Sequence, residues 1–424
     1  MSRLVAAGPN DNVDNVDDVN NVGKVGASTT RVPTFAVVLA GFAAFLDLYA
    51  TQPLLPLLAR TFDATTFRVN LTVTAPTIAV ALAAPAVGRL ADRIGLRRTI
   101  LASAFALTVT TALSATASTL TQLILWRFLQ GIVTPGIFAS TIAYVHEVWP
   151  ASRAGRGTAA YMSGTVLGGF TGRAVAGMMA ADVSWHAAFV ALALLNGAVA
   201  VVLWLRLPTE PRRHRPALKA RGELASVGHL FTNRRLIATF GVGFCVLFTQ
   251  VAMFTYVTFH LARPPFSLST VALGWLFVVY LVGAAVTPLS GAWVDRYGHR
   301  AGLASAMAVG GTGALLTLLP SLPAIIAGLA LCSTGVFIAQ ATTSGYIGAV
   351  TKKDRALAVG LYSTFYYGGG STGGALPSLV WTRGGWPACV GLVMAVQFIG
   401  AAIAYTQWTG VTGRAAAALP ESGV

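Results

Sequence analysis

Three ionisable side chains stand deep inside long apolar runs: Asp47, Arg127 and Arg173. A charge at such depth is costly, faces a protein interior or a water-filled cavity, and is a functional candidate by default. A carboxylate placed there can take up and release a proton; a nearby guanidinium favours its charged form, while desolvation favours its neutral form. At about 1.5 Å per helical residue, Asp47 lies about 15 Å from the outer end of its run and Arg127 about 10 Å from the end of its own. The two depths are compatible with contact, so Asp47 and Arg127 are read as a proton-coupling pair, with a purely structural ion pair as the alternative. Arg173 is about as deep as Arg127, and either snorkels outward or meets a substrate.

Other chemistry finds little support. Cys245, Cys332 and Cys389 stand singly in apolar runs and read as small buried residues. His146-Glu147 has no second histidine at zinc-protease spacing, so no metal site is expected. Gly368 to Gly373 fits a dinucleotide-binding pattern, but no strand precedes it. No His, Cys or Ser constellation gathers at one depth, which argues against a membrane-embedded enzyme. A receptor would need a soluble output domain, and none is legible.

The elements that hold these residues follow from composition. Of 424 residues, 55% are hydrophobic and 10% charged, where an average globular chain carries about 25% charged. Repeated apolar runs of about 20 residues are each long enough for a bilayer core of about 30 Å. The fold class is an all-α polytopic membrane protein. The net charge of +15 could suggest nucleic acid, but the basic residues cluster between apolar runs without interleaved aromatics. A lipid bilayer is the expected partner, and nucleic acid is not.

Twelve helices are predicted at 34–58, 69–90, 99–117, 120–146, 157–180, 187–206, 236–260, 269–292, 301–319, 322–349, 356–380 and 386–408. Residues 1–33 are polar and repetitive and read as a disordered tail, with 409–424 as a second tail. The long connection 207–235 contains Pro208, Pro211, Pro216 and, with Arg206, eight basic residues. It separates two six-helix bundles, 34–206 and 236–408. Twenty-three of the 29 basic residues fall on the side holding both termini and this linker. The positive-inside rule makes that side cytoplasmic, in an inner-membrane, multi-pass chain.

The two bundles repeat each other. Gly88-Arg-Leu-Ala-Asp92-Arg93-Ile-Gly95-Leu-Arg97-Arg98 recurs as Gly291-Ala-Trp-Val-Asp295-Arg296-Tyr-Gly298-His-Arg300, at a separation of 203. Gly168-Gly-Phe-Thr-Gly172 recurs as Gly369-Gly-Ser-Thr-Gly373, and Trp185 as Trp386, each at a separation of 201. A duplicated six-helix unit is a transporter signature, because two similar halves can rock about a midplane site.

The first repeated segment resembles the loop motif of the major facilitator superfamily. Arg127-Phe-Leu-Gln130-Gly131 is similar to the R-x-x-Q-G pattern of its proton-coupled members, and Glu147-x-x-Pro150 to the cytoplasmic end of the same helix. Gly164, Gly168 and Gly172 resemble the fifth-helix antiporter motif, with Arg173 where that motif has proline. Asp47 with Leu55-Pro56 is similar to a first-helix motif of drug–proton antiporters, with Gln52 replacing its asparagine. The resemblance covers residues 34–408 and is nearest to bacterial drug and sugar efflux members. It implies twelve transmembrane helices in two pseudo-symmetric six-helix bundles. It also implies a gating group of Gly88, Asp92, Arg93, Gly95, Arg97, Arg98 and Glu147, with Gly291, Asp295, Arg296 and Gly298 as the second copy. Glu147 is expected to pair with Arg93 or Arg97.

The expected function is secondary active transport by alternating access: proton-coupled efflux of a drug-like amphipathic compound, or else efflux or symport of a sugar or other small metabolite. No cofactor is expected beyond an ion gradient, H+ first, and the chain is expected to act as a monomer. Candidate cavity residues are Gln52, Gln130, Arg173, Gln250, Phe254, Tyr256, Tyr280, Gln340, Tyr366 and Tyr367.

Overall fold

The computed structural model describes residues 34–209, 228, 230–351 and 355–408. The predicted tails 1–33 and 409–424 and most of the linker 207–235 lie outside the described residues. All regular structure among them is helical. The first half comprises α1 (Thr34–Leu46), α2 (Leu55–Thr61), α3 (Thr66–Ile94), α4 (Leu96–Ser114), α5 (Leu120–Val148), α6 (Ala151–Asp182) and α7 (Trp185–Arg206). The second comprises α8 (Arg234–Leu261), α9 (Thr270–Trp275), α10 (Val279–Leu316), α11 (Leu322–Val350), α12 (Arg355–Ala375) and α13 (Ser378–Gln407).

Local chemistry sets the helix starts. Thr65, Thr119 and Ser184 each accept, through the side-chain hydroxyl, the backbone N–H three residues on, and so cap α3, α5 and α7. The second half uses Asn233 and Ser269 in the same way.

Helix boundaries depart from the sequence reading in three places, each with a physical cause. The first span, predicted unbroken over 34–58, opens after Leu46 and resumes as a 3-10 turn (Gln52–Leu54) and α2. Pro53 and Pro56 lack the N–H and crowd the preceding turn, so the backbone over 47–51 closes i→i−3 bonds such as Ala50 to Asp47 at 3.0 Å. The eighth span runs on past 292 within α10 to Gly298, whose φ of 85° and ψ of 165° break the helix before the ninth span begins. The last two spans separate at Gly385, whose φ of 58° is non-helical, just ahead of Trp386, and Pro377 interrupts the eleventh span before that point. Counted through these joints, the described residues form twelve spans, the first built from α1 and α2, the eighth from α9 and the start of α10, and the eleventh from α12 and the start of α13.

Glycine brings the spans together. A Cβ at Gly164, Gly168 or Gly172 would strike the backbone carbonyls of Val38, Phe42 and Leu46, so α6 lies directly on α1. The second half repeats this, with Gly369 against Phe244 and Gly373 against Phe248. The three cysteines are buried and free.

The halves meet at the end where α3 begins, here the far end. Gln52 Nε2 donates to Thr255 Oγ1 at 3.0 Å, Thr74 Oγ1 to the carbonyl of Ser371 at 3.2 Å, and the Thr77 and Ser371 hydroxyls bond at 3.0 Å. Phe170 and Trp275 meet edge to face at 5.5 Å. At the opposite end, which bears the repeated loop motif, α3 is largely exposed over 82–94, whereas much of 69–81 is buried. The halves diverge toward the motif end.

Candidate functional site

The break in the first span creates the centre of the site. Opening the helix frees backbone carbonyls in the membrane core, where each needs a donor. Arg127, fully buried on α5, supplies it. Its Nη1 donates to the Asp47 carbonyl at 2.8 Å and its Nη2 to the Leu48 carbonyl at 2.6 Å. Its Nε donates to the Thr72 carbonyl at 3.0 Å, the oxygen orphaned four residues before Pro76. The planar guanidinium thus ties three spans through carbonyls that proline chemistry released.

The Asp47 carboxylate turns elsewhere. Its Oδ2 accepts from Thr111 Oγ1 on α4 and from Asn196 Nδ2 on α7, the latter at 2.6 Å. Its Oδ1 is buried and has no hydrogen-bond partner among the described residues. The expected contact of Asp47 with Arg127 is therefore corrected in kind: the guanidinium holds the Asp47 backbone, while the carboxylate is held by a hydroxyl and an amide. Gln130 links the two, accepting from Arg127 Nη1 at 2.5 Å and donating to Thr111 Oγ1 at 3.0 Å. Thr111 and Asn196 escaped the sequence reading. Asn196 had a signal, being the one amide within the apolar span of α7; Thr111 had none among so many threonines.

Arg173 does not snorkel outward. It is buried, with Nε donating to Gln52 Oε1 at 2.8 Å and Nη1 to the Gly169 carbonyl at 2.6 Å. Its guanidinium carbon stands 5.1 Å from the Tyr49 ring centre, 4.6 Å from Phe277 and 5.0 Å from Tyr280. The predicted residues Gln52, Arg173 and Tyr280 thus come together, and Phe254 joins them 4.5 Å from Tyr280. Tyr366 and Tyr367 pack at 5.6 Å, and Tyr367 stacks on Phe138 of the other half at 5.8 Å. Gln250 and Gln340 are half-buried on α8 and α11. Tyr256 is separate: its hydroxyl donates to the Gly374 carbonyl at 3.0 Å and its ring packs near Trp381, which ties it to the scaffold at the far end.

The motif residues gather at the other end. Gly88, Asp92, Arg93 and Arg98 are exposed, and Glu147 is half-buried at the close of α5. Gly95 and Gly298 both adopt left-handed backbone, φ 96° and 85°, which lets the chain turn sharply between spans. Gly291 is exposed and Asp295 lies along α10, while the Arg296 guanidinium sits 5.3 Å from the Tyr297 ring centre. Arg97 Nε and Nη2 donate to the carbonyls of Leu207 and Trp204 at 2.6 and 2.9 Å, closing the C-terminus of α7. Its repeat copy Arg300 does the same for α13, with Nη2 2.6 Å from the Tyr405 carbonyl. Positive charge at a helix C-terminus satisfies its last carbonyls and its dipole.

Comparison with known proteins agrees with this architecture. The sequence model of the Major Facilitator Superfamily matches residues 37–269 and 263–418. The MFS-type transporter YybF of Bacillus subtilis is 31% identical over 363 residues, covering 85% of this chain and 89% of its own. The inner membrane transport protein YnfM of Escherichia coli is 29% identical over 367 residues, covering 86% and 88%. Among solved structures, a bacterial homolog of the human lysosomal transporter Spinster, inward-facing and unoccupied, superimposes with a TM-score of 0.70 at 16% identity. It covers 91% of this chain and 100% of its own. A twelve-span duplicated bundle, a transporter's core and a family match along nearly its whole length lead to one conclusion: this chain belongs to the major facilitator superfamily of secondary transporters.

Proposed function

We propose that the protein exports a small amphipathic compound across the cytoplasmic membrane in exchange for protons, with Asp47 as the group that loads and releases the proton. Both termini lie in the cytoplasm on this reading, as the 23 basic residues on that side favour. The conformation described, closed at the far end and divergent at the motif end, is then the inward-open one. The chain acts as a single copy and draws on the proton gradient without a cofactor.

The observation that supports coupling most is the setting of Asp47. Its carboxylate is 2% exposed, with Oδ2 held by two donors and Oδ1 left as the atom able to carry a proton. The residue also sits at the break in the first span, beside carbonyls gripped by Arg127. Protonation would alter the grip of α4 and α7 on that break, which is a route from proton to helix movement.

Gradient-driven transport in proteoliposomes, compared with substrate binding in detergent, tests this. Asp47→Asn should bind substrate yet fail to accumulate it against a gradient, and Asp47→Glu should retain part of the activity. Uphill transport by Asp47→Asn at the wild-type rate would refute coupling through this residue.

A further inference from the structure

Among the described residues, the buried acidic and basic side chains are Asp47, Arg127 and Arg173. Asp47 and Arg127 are each other's charged neighbour, so their charges offset. Arg173 has no such counterpart. Its electrostatic neighbours are the hydroxyls of Tyr49 and Tyr280, and its guanidinium faces three rings. With Asp47 ionised, the described core of the membrane region therefore carries one positive charge beyond balance. Nε and Nη1 are occupied by Gln52 and Gly169, whereas Nη2 has no hydrogen-bond partner among the described residues.

The internal repeat shows that this charge is not part of the shared scaffold. Gly168 and Gly172 pack on Phe42 and Leu46 as Gly369 and Gly373 pack on Phe244 and Phe248. Arg173 thus has Gly374 as its counterpart, a residue whose missing side chain lets α12 approach Thr74 of α3. Closure of the far end on the α12 side needs no charge. The arginine on the α6 side serves something the scaffold does not.

We propose that the substrate is a small amphipathic anion, its carboxylate or like acidic group bound by Arg173 and its apolar body laid against the rings of Tyr49, Phe277 and Tyr280. This assignment rests on the transporter reading above. Aromatic faces attract a cation in place of a counter-ion, and two of the three rings, Phe277 and Tyr280, belong to the second half. With the far end closed, Nη2 is the free donor beside the three rings, so an anion arriving from the motif end pairs with it while its apolar body meets the cage. When the halves part at the far end, Phe277 and Tyr280 withdraw and the bound anion keeps one ring of three, so the site loosens on the side where an exporter releases. Ligand occupancy is thereby coupled to the opening of that end.

The test uses the purified full-length protein and three probes of one shape: naphthalene-1-carboxylate, the neutral 1-naphthamide and cationic naphthalen-1-ylmethylammonium. Binding is read from the rise in unfolding temperature with probe concentration. The carboxylate should bind at least about tenfold more tightly than either other probe, as expected for a hydrogen-bonded charge pair. Arg173→Gln should erase that preference, and Arg173→Lys should keep part of it. A carboxylate that binds no better than the amide overturns the assignment, and so does an equal preference in Arg173→Gln. Should Arg173→Gln fail to fold, the ranking of the three probes on the wild type decides alone. Failure of the coupling reading shows separately, as a carboxylate bound with this preference but unmoved by a pH gradient in proteoliposomes. Gradient-driven movement of the amide or amine with the carboxylate ignored refutes the anion site and leaves proton coupling standing.

Discussion

Replacing Arg127 by methionine removes the donor shared by the carbonyls of Asp47, Leu48 and Thr72. The Asp47 carbonyl keeps the Ala50 N–H at 3.0 Å, so two carbonyls lose the donor that Arg127 gave them. The helix cannot take Thr72 back, because the residue four positions on is Pro76. A buried acceptor left unpaired costs about 1–3 kcal/mol, hence roughly 2–6 kcal/mol for the two. In a folding unit of the size of one half, at about 2–4 °C per kcal/mol, that is a fall of roughly 4–24 °C in unfolding temperature. The assay is thermal unfolding of the detergent-purified protein, with exposed Arg60→Met as the surface control. Arg127→Lys should recover part of the loss, since an ammonium donates but lacks the fork that reaches three oxygens together. A double variant separates the two readings of this arginine. If its main task were to neutralise the carboxylate, Asp47→Asn would rescue Arg127→Met. The hydrogen bonds run to the backbone, so no rescue is expected. Rescue, or unfolding of Arg127→Met together with the Arg60→Met control, would refute the reasoning.

Two further outcomes follow from the packing. Gly168→Val should prevent correct assembly of the first half, because its side chain would meet the Phe42 backbone, whereas Gly155→Ala on the same helix has open space and should behave as wild type; the monodisperse peak in size-exclusion chromatography reports both. Arg97→Ala should lower the unfolding temperature more than Arg300→Ala does, since Arg97 closes its helix with two bonds and Arg300 with one; equal shifts would sink that comparison.

The large-scale fold was legible because lipid imposes simple rules. Apolar length, basic asymmetry and the repeat of Gly88–Arg98 in Gly291–Arg300 gave the spans, and the spacing of Gly164, Gly168 and Gly172 gave a close helix pair. The break at 47–51 was harder to see. Its prolines, Pro53 and Pro56, stand beyond the residues they unwind, so a window of hydrophobicity passes over the gap. The depth of Arg127 was also legible, but its partners were not. Hydropathy identifies a costly charge; it does not say whether a carboxylate or a freed carbonyl satisfies it. Arg173 was the reverse case, where the alternatives were named but the ring cage depended on Phe277 and Tyr280 arriving from the other half.

The repeat itself separates scaffold from chemistry. Features present in both halves do mechanical work: left-handed Gly95 and Gly298 turn the chain, Arg97 and Arg300 close the sixth and twelfth spans, and the glycine rows seat one span on another. Features present once mark where the halves have taken different tasks. Asp47 follows Leu46 where Thr249 follows Phe248, Arg127 stands at the position Leu329 holds in the equally long α11, and Arg173 stands where the second half has Gly374. The three charges buried among the described residues therefore belong to the first half, while the second supplies rings such as Phe254, Phe277, Tyr280 and Tyr367. Charge is costly to move through lipid and rings are not, so a machine that rocks two halves gains by keeping its charges on one body. The other body can then approach and withdraw without dragging an ion across the membrane core.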